Sequence, residues 1–461
     1  MRARGQFLAA ALVVVVSVGG AIALQDGAGP RPSAAAPAAE APSGAWLCPH
    51  GGGSEWQVTI RLANPGPQPV RVRVSRLGSD KPTEPKGYTV EPGTELQLAQ
   101  PAPERGSSTV VQYFGGWVAA GWVAHAGGGE GGVAAEPCLP GGGDRWLVPD
   151  GSAAEGQDDY VVVMNPYAVD AVFTLTLYTT KRPAPITPGE WTNVVLHPHR
   201  SEAFRLNPKA LGEATVSTLV DVEVGRVAVA GLGISSLGGI RSGVGVEGTP
   251  PTTAILPGGF DQGATDLIVA DPTERPAAVR ALLISKEASQ AVASLTQSST
   301  NPGSAATYPV TSEGPSALVV HPPAGVAVAR RTLGVTSDQG STTGSGTPAR
   351  AWVILPSVAG PPTHPGLVMA NPGSRPVDVT LTYLPSGVGP VPAPITVQVP
   401  ARRVLGPPRA FIEAKPFAAI LAVASDGTFV PASASYSLGR EGYAAYAVSL
   451  GVPVPEAWIP G

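Results

Sequence analysis

The sequence repeats one plan four times at a period of about a hundred residues, and this repetition limits the possible folds more than any other feature. The clearest mark of each copy is an apolar segment that ends in Asn-Pro or Asp-Pro. The marks lie 101, 106 and 100 residues apart, at Asn64, Asn165, Asp271 and Asn371. Such spacing predicts a tandem array of similar domains.

The residues after each mark predict a strand. Six, eight and ten positions further on, every copy carries an apolar residue, in the first copy Val70, Val72 and Val74. Apolar residues at every second position indicate a strand with one face in a core. Residues 276–295 would pass for a helix if read alone, but their place in the repeat predicts a strand at least through Ile284.

Composition favours an all-β fold. The chain has 58 Gly and 51 Pro, which helices tolerate poorly, and 43% apolar residues, enough to fill several cores. Six or seven short strands per copy predict four tandem immunoglobulin-like β-sandwich domains. A β-propeller is the alternative, with two blades in each repeat. The expected sandwich boundaries are 45–142, 143–252, 253–350 and 351–461.

The N-terminal segment predicts an extracytoplasmic protein. Arg2 and Arg4 precede an apolar run from Phe7 to Leu24, the pattern of secretory segments. The sequence Ala21-Ile22-Ala23 offers a cleavage site, yet the run is long enough to span a bilayer. Residues 1–24 are therefore a signal peptide or a membrane anchor, and the Ala- and Pro-rich residues 25–44 are a stalk.

Cys48 and Cys138 are the two cysteines of the chain. In an oxidising compartment an even count predicts a disulfide. Closing so long a loop would stabilise the fold by about 4 to 5 kcal/mol in the chain-entropy model.

Charge and motifs argue against several classes of function. The net charge of −4 leaves no basic stripe for nucleic acid. Gly243, Gly245 and Gly248 have dinucleotide-site spacing, but Pro250 follows and no helix can begin there. The sequence predicts no enzyme activity, no cofactor and no metal site.

Two further features have a structural and a functional interpretation. The anchors Asn64, Asn165, Asp271 and Asn371 suit turns, because Asn or Asp before Pro bonds its own backbone there. Trp117 should face outward by strand alternation, and an exposed Trp could stack on a sugar ring or anchor a partner protein. The structural alternative is a Trp117 covered by the neighbouring repeat.

The N-terminal segment, the Pro-rich stalk, Cys48-Pro49 and the repeated Asn-Pro strands resemble a family of secreted actinobacterial proteins that is a domain of unknown function. The resemblance implies an envelope-associated protein without known catalysis. We expect a non-enzymatic scaffold that binds an extracytoplasmic protein, with binding of cell-wall glycan as the alternative.

Overall fold

The structure is a computed structural model that describes residues 43–182, 184–260, 264–312, 314–334, 338–357, 363–387, 390–416, 418–437 and 446–459. The predicted signal or anchor segment (1–24) and the predicted stalk up to residue 42 lie outside these residues. Within the described part of the chain, no helix has the length and apolar character needed to cross a membrane.

The chain is all-β, and its strands fall into four consecutive groups. The first group is β1 (Ser43–Cys48), β2 (Trp56–Asn64), β3 (Val70–Leu77), β4 (Lys86–Val90), β5 (Thr94–Pro101), β6 (Ser108–Phe114), β7 (Ala119–Ala126) and β8 (Gly132–Pro137). The second is β9 (Arg145–Val148), β10 (Gln157–Asn165), β11 (Ala171–Thr179), β12 (Val194–Leu196), β13 (Arg200–Arg205), β14 (Val216–Val224), β15 (Ala228–Ser235), β16 (Ile240–Val244) and β17 (Val246–Glu247).

The third group is β18 (Ala254–Gly258), β19 (Ala264–Asp271), β20 (Arg280–Ser285), β21 (Ser289–Ala291), β22 (Ser304–Val310), β23 (Ser316–His321), β24 (Ala327–Leu333) and β25 (Gln339–Thr342). The fourth is β26 (Ala351–Ile354), β27 (His364–Asn371), β28 (Val377–Leu384), β29 (Ile395–Val399), β30 (Arg403–Leu405), β31 (Ala419–Ala424), β32 (Val430–Tyr436), β33 (Tyr446–Leu450) and β34 (Val452–Pro453). The described helices are short: α1 (Arg409–Ala414) and 3₁₀ turns at Gly128–Glu130, Gly189–Trp191, Ala293–Leu295 and Glu456–Trp458.

All four groups have the same topology. In each, the first, sixth, third and fourth strands form one antiparallel sheet, and the fifth, second, seventh and eighth form the other. Side chains from the two sheets share a core, as Val161 and Phe173 do in the second domain, so each domain is a sandwich. The alternative prediction of a β-propeller is wrong, because the sheets stack in pairs instead of forming single blades.

The predicted alternation is confirmed in the core. The apolar residues six, eight and ten positions after each anchor are buried in all four domains. Arg71 and Arg73, which lie between them in the first domain, are exposed. The turn between the sixth and seventh strands carries a glycine with positive φ at the same place in each domain: Gly115, Gly225, Gly325 and Gly427. Only glycine adopts that backbone region without steric strain.

The four sandwiches close into a ring. The eighth strand of the first domain, β8, lies against β16 of the second domain and against β33 of the fourth. Strand β25 of the third domain likewise contacts both β16 and β33. Small residues permit this approach: a Cβ added to Gly340 would lie 2.5 Å from the ring of Tyr446 in the next domain.

Contacts between the first and fourth domains join distant parts of the chain. The amide of Ala419 donates a hydrogen bond to Oε2 of Glu95 at 3.0 Å, and the amide of Glu95 donates to the carbonyl of Pro385 at 3.0 Å. Trp458, near the C-terminus, packs beside Gly66 of the first domain. The 3₁₀ turn Glu456–Trp458 thus lies against another domain.

Candidate functional site

The three asparagine anchors each tie the end of a second strand to two other segments. Nδ2 of Asn64 donates hydrogen bonds to the carbonyl oxygens of Gln68 at 2.7 Å and Val90 at 3.0 Å, and its Oδ1 accepts one from the amide of Gly66 at 2.9 Å. The same three interactions recur at Asn165 (Val169, Leu196, Tyr167) and at Asn371 (Arg375, Val399, Gly373). In every case the second carbonyl belongs to the last residue of the fourth strand. The amide therefore fastens the fourth strand beside the third.

Asp271 departs from this pattern because a carboxylate has no hydrogen to donate. Its Oδ1 accepts hydrogen bonds from the amide of Thr273 at 3.0 Å and from the Thr273 hydroxyl at 2.6 Å, so the turn survives. Its Oδ2 is buried without a hydrogen-bond partner. Burial raises the pKa of Asp271 above its ordinary value.

The fourth strand of the third domain leaves the third strand close to this aspartate. Thr300 still pairs with Ala277, just as Val90 pairs with Val70 at the equivalent positions of the first domain. The preceding residues bulge away through the 3₁₀ turn Ala293–Leu295, and regular pairing resumes only between β20 and β21. The structure therefore has a gap beside residues 278–281.

The gap is a groove of about 680 Å³, within the usual range for ligand pockets. Its apolar wall consists of buried core residues, Val279, Ala281, Val292 and Leu295. Exposed side chains form its rim, among them Arg280, Leu282, Ala291, Gln297 and His321. An apolar group entering between the rim residues would thus reach the core of the third domain.

Main-chain groups face this groove without partners. Val279 is 2% exposed, and its N–H and C=O make no hydrogen bond to any residue that the structure describes. The carbonyl of Ala281 accepts a hydrogen bond from the amide of Val292 at 3.0 Å, but the Ala281 amide donates none to the carbonyl of Val292. Because Ala277 bonds Thr300 through both its N–H and C=O, alternation turns the main-chain groups of Val279 to the same side.

A second surface lies on the outer sheet of the first domain. Arg71 and Arg73 project from β3 beside Phe114 of β6, and the guanidinium of Arg73 lies 5.6 Å from the Phe114 ring centroid. With Gly87 and Thr89 these residues line a depression of about 440 Å³. Neither arginine forms an ion pair with the described acidic residues.

The expectation that Trp117 is exposed is wrong. Its side chain is 6% exposed and packs edge-on against Trp46, with ring centroids 6.3 Å apart. Trp117 lies in the turn between β6 and β7, where strand alternation does not determine direction, and the indole turns into the core of its own domain. It is not available to stack on a sugar ring in this structure.

Cys48 and Cys138 form the disulfide that their number and compartment predict. The bond joins the end of β1 to the residue after β8, so it connects the two sheets of the first domain. Its place within one sandwich gives it a structural role.

Buried charges hold domains together instead of forming a cleft. Arg331 of β24 donates to Asp150 of the second domain, where Nε and Oδ1 are 2.8 Å apart, while Arg241 of β16 pairs with Asp159. The nearby Gln339 of β25 accepts from Arg241 at 2.5 Å. Burial raises the pKa of Asp159 to about 6, whereas the two arginines outweigh burial at Asp150 and lower its pKa to about 2. All of these side chains are buried, so the network has no access to a substrate.

The described residues contain no group of three His, Cys, Asp or Glu side chains that could hold a metal. His197, close to His199 in sequence, instead contacts Asp170 on the surface, with Nδ1 and Oδ1 2.9 Å apart.

Sequence reasoning does not single out the groove of the third domain. The signal that marks it is Asp271, the one anchor that is not asparagine, together with the irregular third copy. The signal identifies a departure from the repeat, but only the structure shows that the departure opens a pocket.

Comparison with known proteins gives one family. No curated protein matches the chain significantly. The model of DUF5719, a family of unknown function, matches residues 111–346, slightly more than half of the chain and including the whole third-domain groove. The chain belongs to this family of unknown function.

Proposed function

We propose that this chain is a non-enzymatic extracytoplasmic scaffold that binds another protein of the cell envelope. The N-terminal sequence supports export, with residues 1–24 as signal or anchor, and the resemblance to secreted actinobacterial proteins agrees with it. The ring supports a scaffold, since each domain contacts two others and therefore has few ways to move. The surfaces between domains contain buried ion pairs and close backbone contacts, which suit permanent packing.

The groove of the third domain is the observation that carries the proposal. It combines an apolar wall, unpaired main-chain groups and the exposed Arg280 on its rim, in the domain whose anchor is not asparagine. Pockets with an apolar body and a few polar groups are the usual sites for ligands and peptide segments. The equivalent position in the fourth domain is covered by β29, which pairs with β28 over five residues.

Site-specific photocross-linking tests the proposal. A photoreactive amino acid is placed at Ser298, in the groove, or at Thr396, on the exposed side of β29, in cells that natively produce the chain. We expect one envelope protein to be cross-linked from Ser298 only. That protein should then bind the purified full chain, and Ala291→Trp, which fills the groove, should weaken binding. Equal cross-linking from both positions, or none from Ser298, would contradict the proposal.

Binding of an anionic cell-wall glycan is the second candidate function. The Arg71, Arg73 and Phe114 surface favours it, because arginines without acidic partners attract anions and an aromatic ring can pack on a sugar. Co-sedimentation of the full chain with protein-free wall material tests it, with Arg73→Glu as the disruptive variant. Arg226→Glu, at an exposed turn of the second domain, is the control.

A further inference from the structure

We propose that the groove of the third domain binds a short extended segment of the partner protein, in which an acidic residue neighbours an apolar one. This inference rests on the proposed function and specifies its binding mode. Three features of the groove determine the chemistry of the segment.

The main-chain groups require an extended segment. Val279 presents one N–H and one C=O to the groove, the pair of groups that an antiparallel strand residue exchanges with its partner. Buried backbone groups are nearly always paired in proteins, so this pair is a site that a peptide can satisfy. Addition of a strand to an open sheet edge is an established mode of peptide recognition.

The ends of the gap limit the length of the contact. Ala277 is bonded to Thr300 at one end, and the carbonyl of Ala281 is bonded to Val292 at the other. One residue of the segment therefore lies opposite Val279, and its neighbours pass out over the rim. A long added strand does not fit, whereas two or three extended residues do.

The side walls select the residues of the segment. Residues next to each other in an extended chain point to opposite sides. A side chain directed inward meets Val279, Val292 and Leu295, which favours an apolar residue. The neighbouring side chain is directed outward, toward Arg280.

Charge complementarity favours an acid at that neighbouring position. Arg280 is exposed, and none of the described carboxylates forms an ion pair with it. His321 is its direct cross-strand neighbour on β23 and also lines the groove. A carboxylate on the segment would therefore meet two basic side chains and no acidic one among the lining residues.

Selection of displayed random heptapeptides on the purified full chain tests the inference. We expect the enriched peptides to place an acidic residue beside an apolar one. Arg280→Glu should weaken the binding of a resynthesised peptide about tenfold, the effect of one well-placed charged contact. Arg226→Glu, the matched reversal outside the groove, should leave affinity unchanged.

Two further measurements separate strand pairing from simple charge attraction. Binding should protect the amides of Val279 and Ala281 from hydrogen exchange, and N-methylation of the peptide at one backbone position should abolish binding. Ala291→Trp should abolish it as well, with unchanged thermal unfolding as evidence that the exposed substitution is tolerated. Enrichment that survives Ala291→Trp, or peptides insensitive to Arg280→Glu, would overturn the inference.

The outcomes distinguish the binding mode from the function. If the protein cross-linked at Ser298 requires an open groove but no peptide is enriched, the partner binds through a folded surface and the inference fails alone. If Ser298 gives no cross-link either, the proposed function fails with it. Competition by a synthetic peptide of residues 25–42 would assign the groove to the chain's own stalk and overturn the claim of a separate partner.

Discussion

The third and fourth domains share one strand order but differ at a single anchor side chain, and the edge of the sheet differs with it. In the fourth domain, Asn371 donates a hydrogen bond to Val399, and β29 follows β28 over five residue pairs. In the third domain, Asp271 cannot donate, and β21 pairs with β20 over three. From this comparison we expect the anchor amide, in addition to the alternating pattern, to help keep the fourth strand in place.

A buried ion pair also holds the third domain against the second. The third domain contributes Arg331 to the second domain, where this side chain meets Asp150 at the buried surface between them. The fourth domain instead shares a buried apolar cluster with the first, and the amide of Glu95 donates a hydrogen bond to the carbonyl of Pro385. The third domain, whose sheet edge is interrupted, is thus held to the second domain by a buried ion pair. Four measurements test these differences.

Arg331→Ala should have the largest effect. It leaves Asp150 buried with only the more distant Arg241 as its cation, where Nε and Oδ2 are 3.5 Å apart. Removing one partner of a buried ion pair costs about 3 to 5 kcal/mol. We expect a lower urea midpoint and faster hydrogen exchange in β24 and β25 than elsewhere. Lys286→Ala, in an exposed pair with Glu287, is the control, and an equal loss there would refute the assignment.

Acidification should act in opposite directions at His50 of the first domain and at Asp271 of the third. His50 is buried, and burial lowers its pKa to about 4. The unfolded chain binds a proton at this histidine first, so the contribution of His50 to the stability of the first domain is lost as pH falls from about 6.5 to 4, by about 3 kcal/mol. Asp271 has a raised pKa, so the native third domain binds the proton more tightly and loses stability as pH rises through that value.

Hydrogen exchange at pH 4.5 and pH 7, corrected for intrinsic rates, measures both domains in one sample. We expect protection of β2 and β6 to fall at the lower pH while protection of β19 and β20 is retained or rises. Parallel loss in the two domains would show that these groups do not control the response.

Asn371→Asp should convert the fourth domain toward the state of the third. The substitution removes the hydrogen bonds from Nδ2 to the carbonyls of Arg375, Val399 and Pro400 and leaves these acceptors without this donor. A loss of about 2 to 3 kcal/mol follows from the usual effect of leaving buried groups unpaired. The measurement is the urea midpoint, supported by hydrogen exchange in β29. If β29 stays as protected as in the native chain, the anchor amide does not hold the strand.

Asp271→Asn should have the smallest effect, in the stabilising direction. The side-chain amide of asparagine can donate a hydrogen bond to the nearby main-chain carbonyls, which the carboxylate of Asp271 cannot do. One net hydrogen bond typically raises the free energy of unfolding by about 1 kcal/mol. The variant should also flatten the pH dependence of exchange in β19. Destabilisation, with the pH dependence unchanged, would mean that the carboxylate itself is required in the turn.

Particular residues show how far sequence reasoning reaches. Val70, Val72 and Val74 predict their own burial, because strand periodicity is a local property of the chain. Trp117 does not follow this rule, since it lies in a turn and its direction depends on Trp46, about seventy residues away. The sequence also predicts six or seven strands per repeat, whereas the short fourth and eighth strands bring each domain to at least eight.

The sequence by itself determined the repeated all-β architecture, the anchor turns and the pairing of the two cysteines, because each depends on local spacing or on the number of candidates. The tertiary structure alone decided that the sandwiches close into a ring and that the third domain carries an open groove. Ring closure depends on contacts such as Glu95 with Ala419, 324 residues apart, which no local pattern encodes. The groove depends on where residues 293–299 pack, and their position is decided by contacts among residues from several strands.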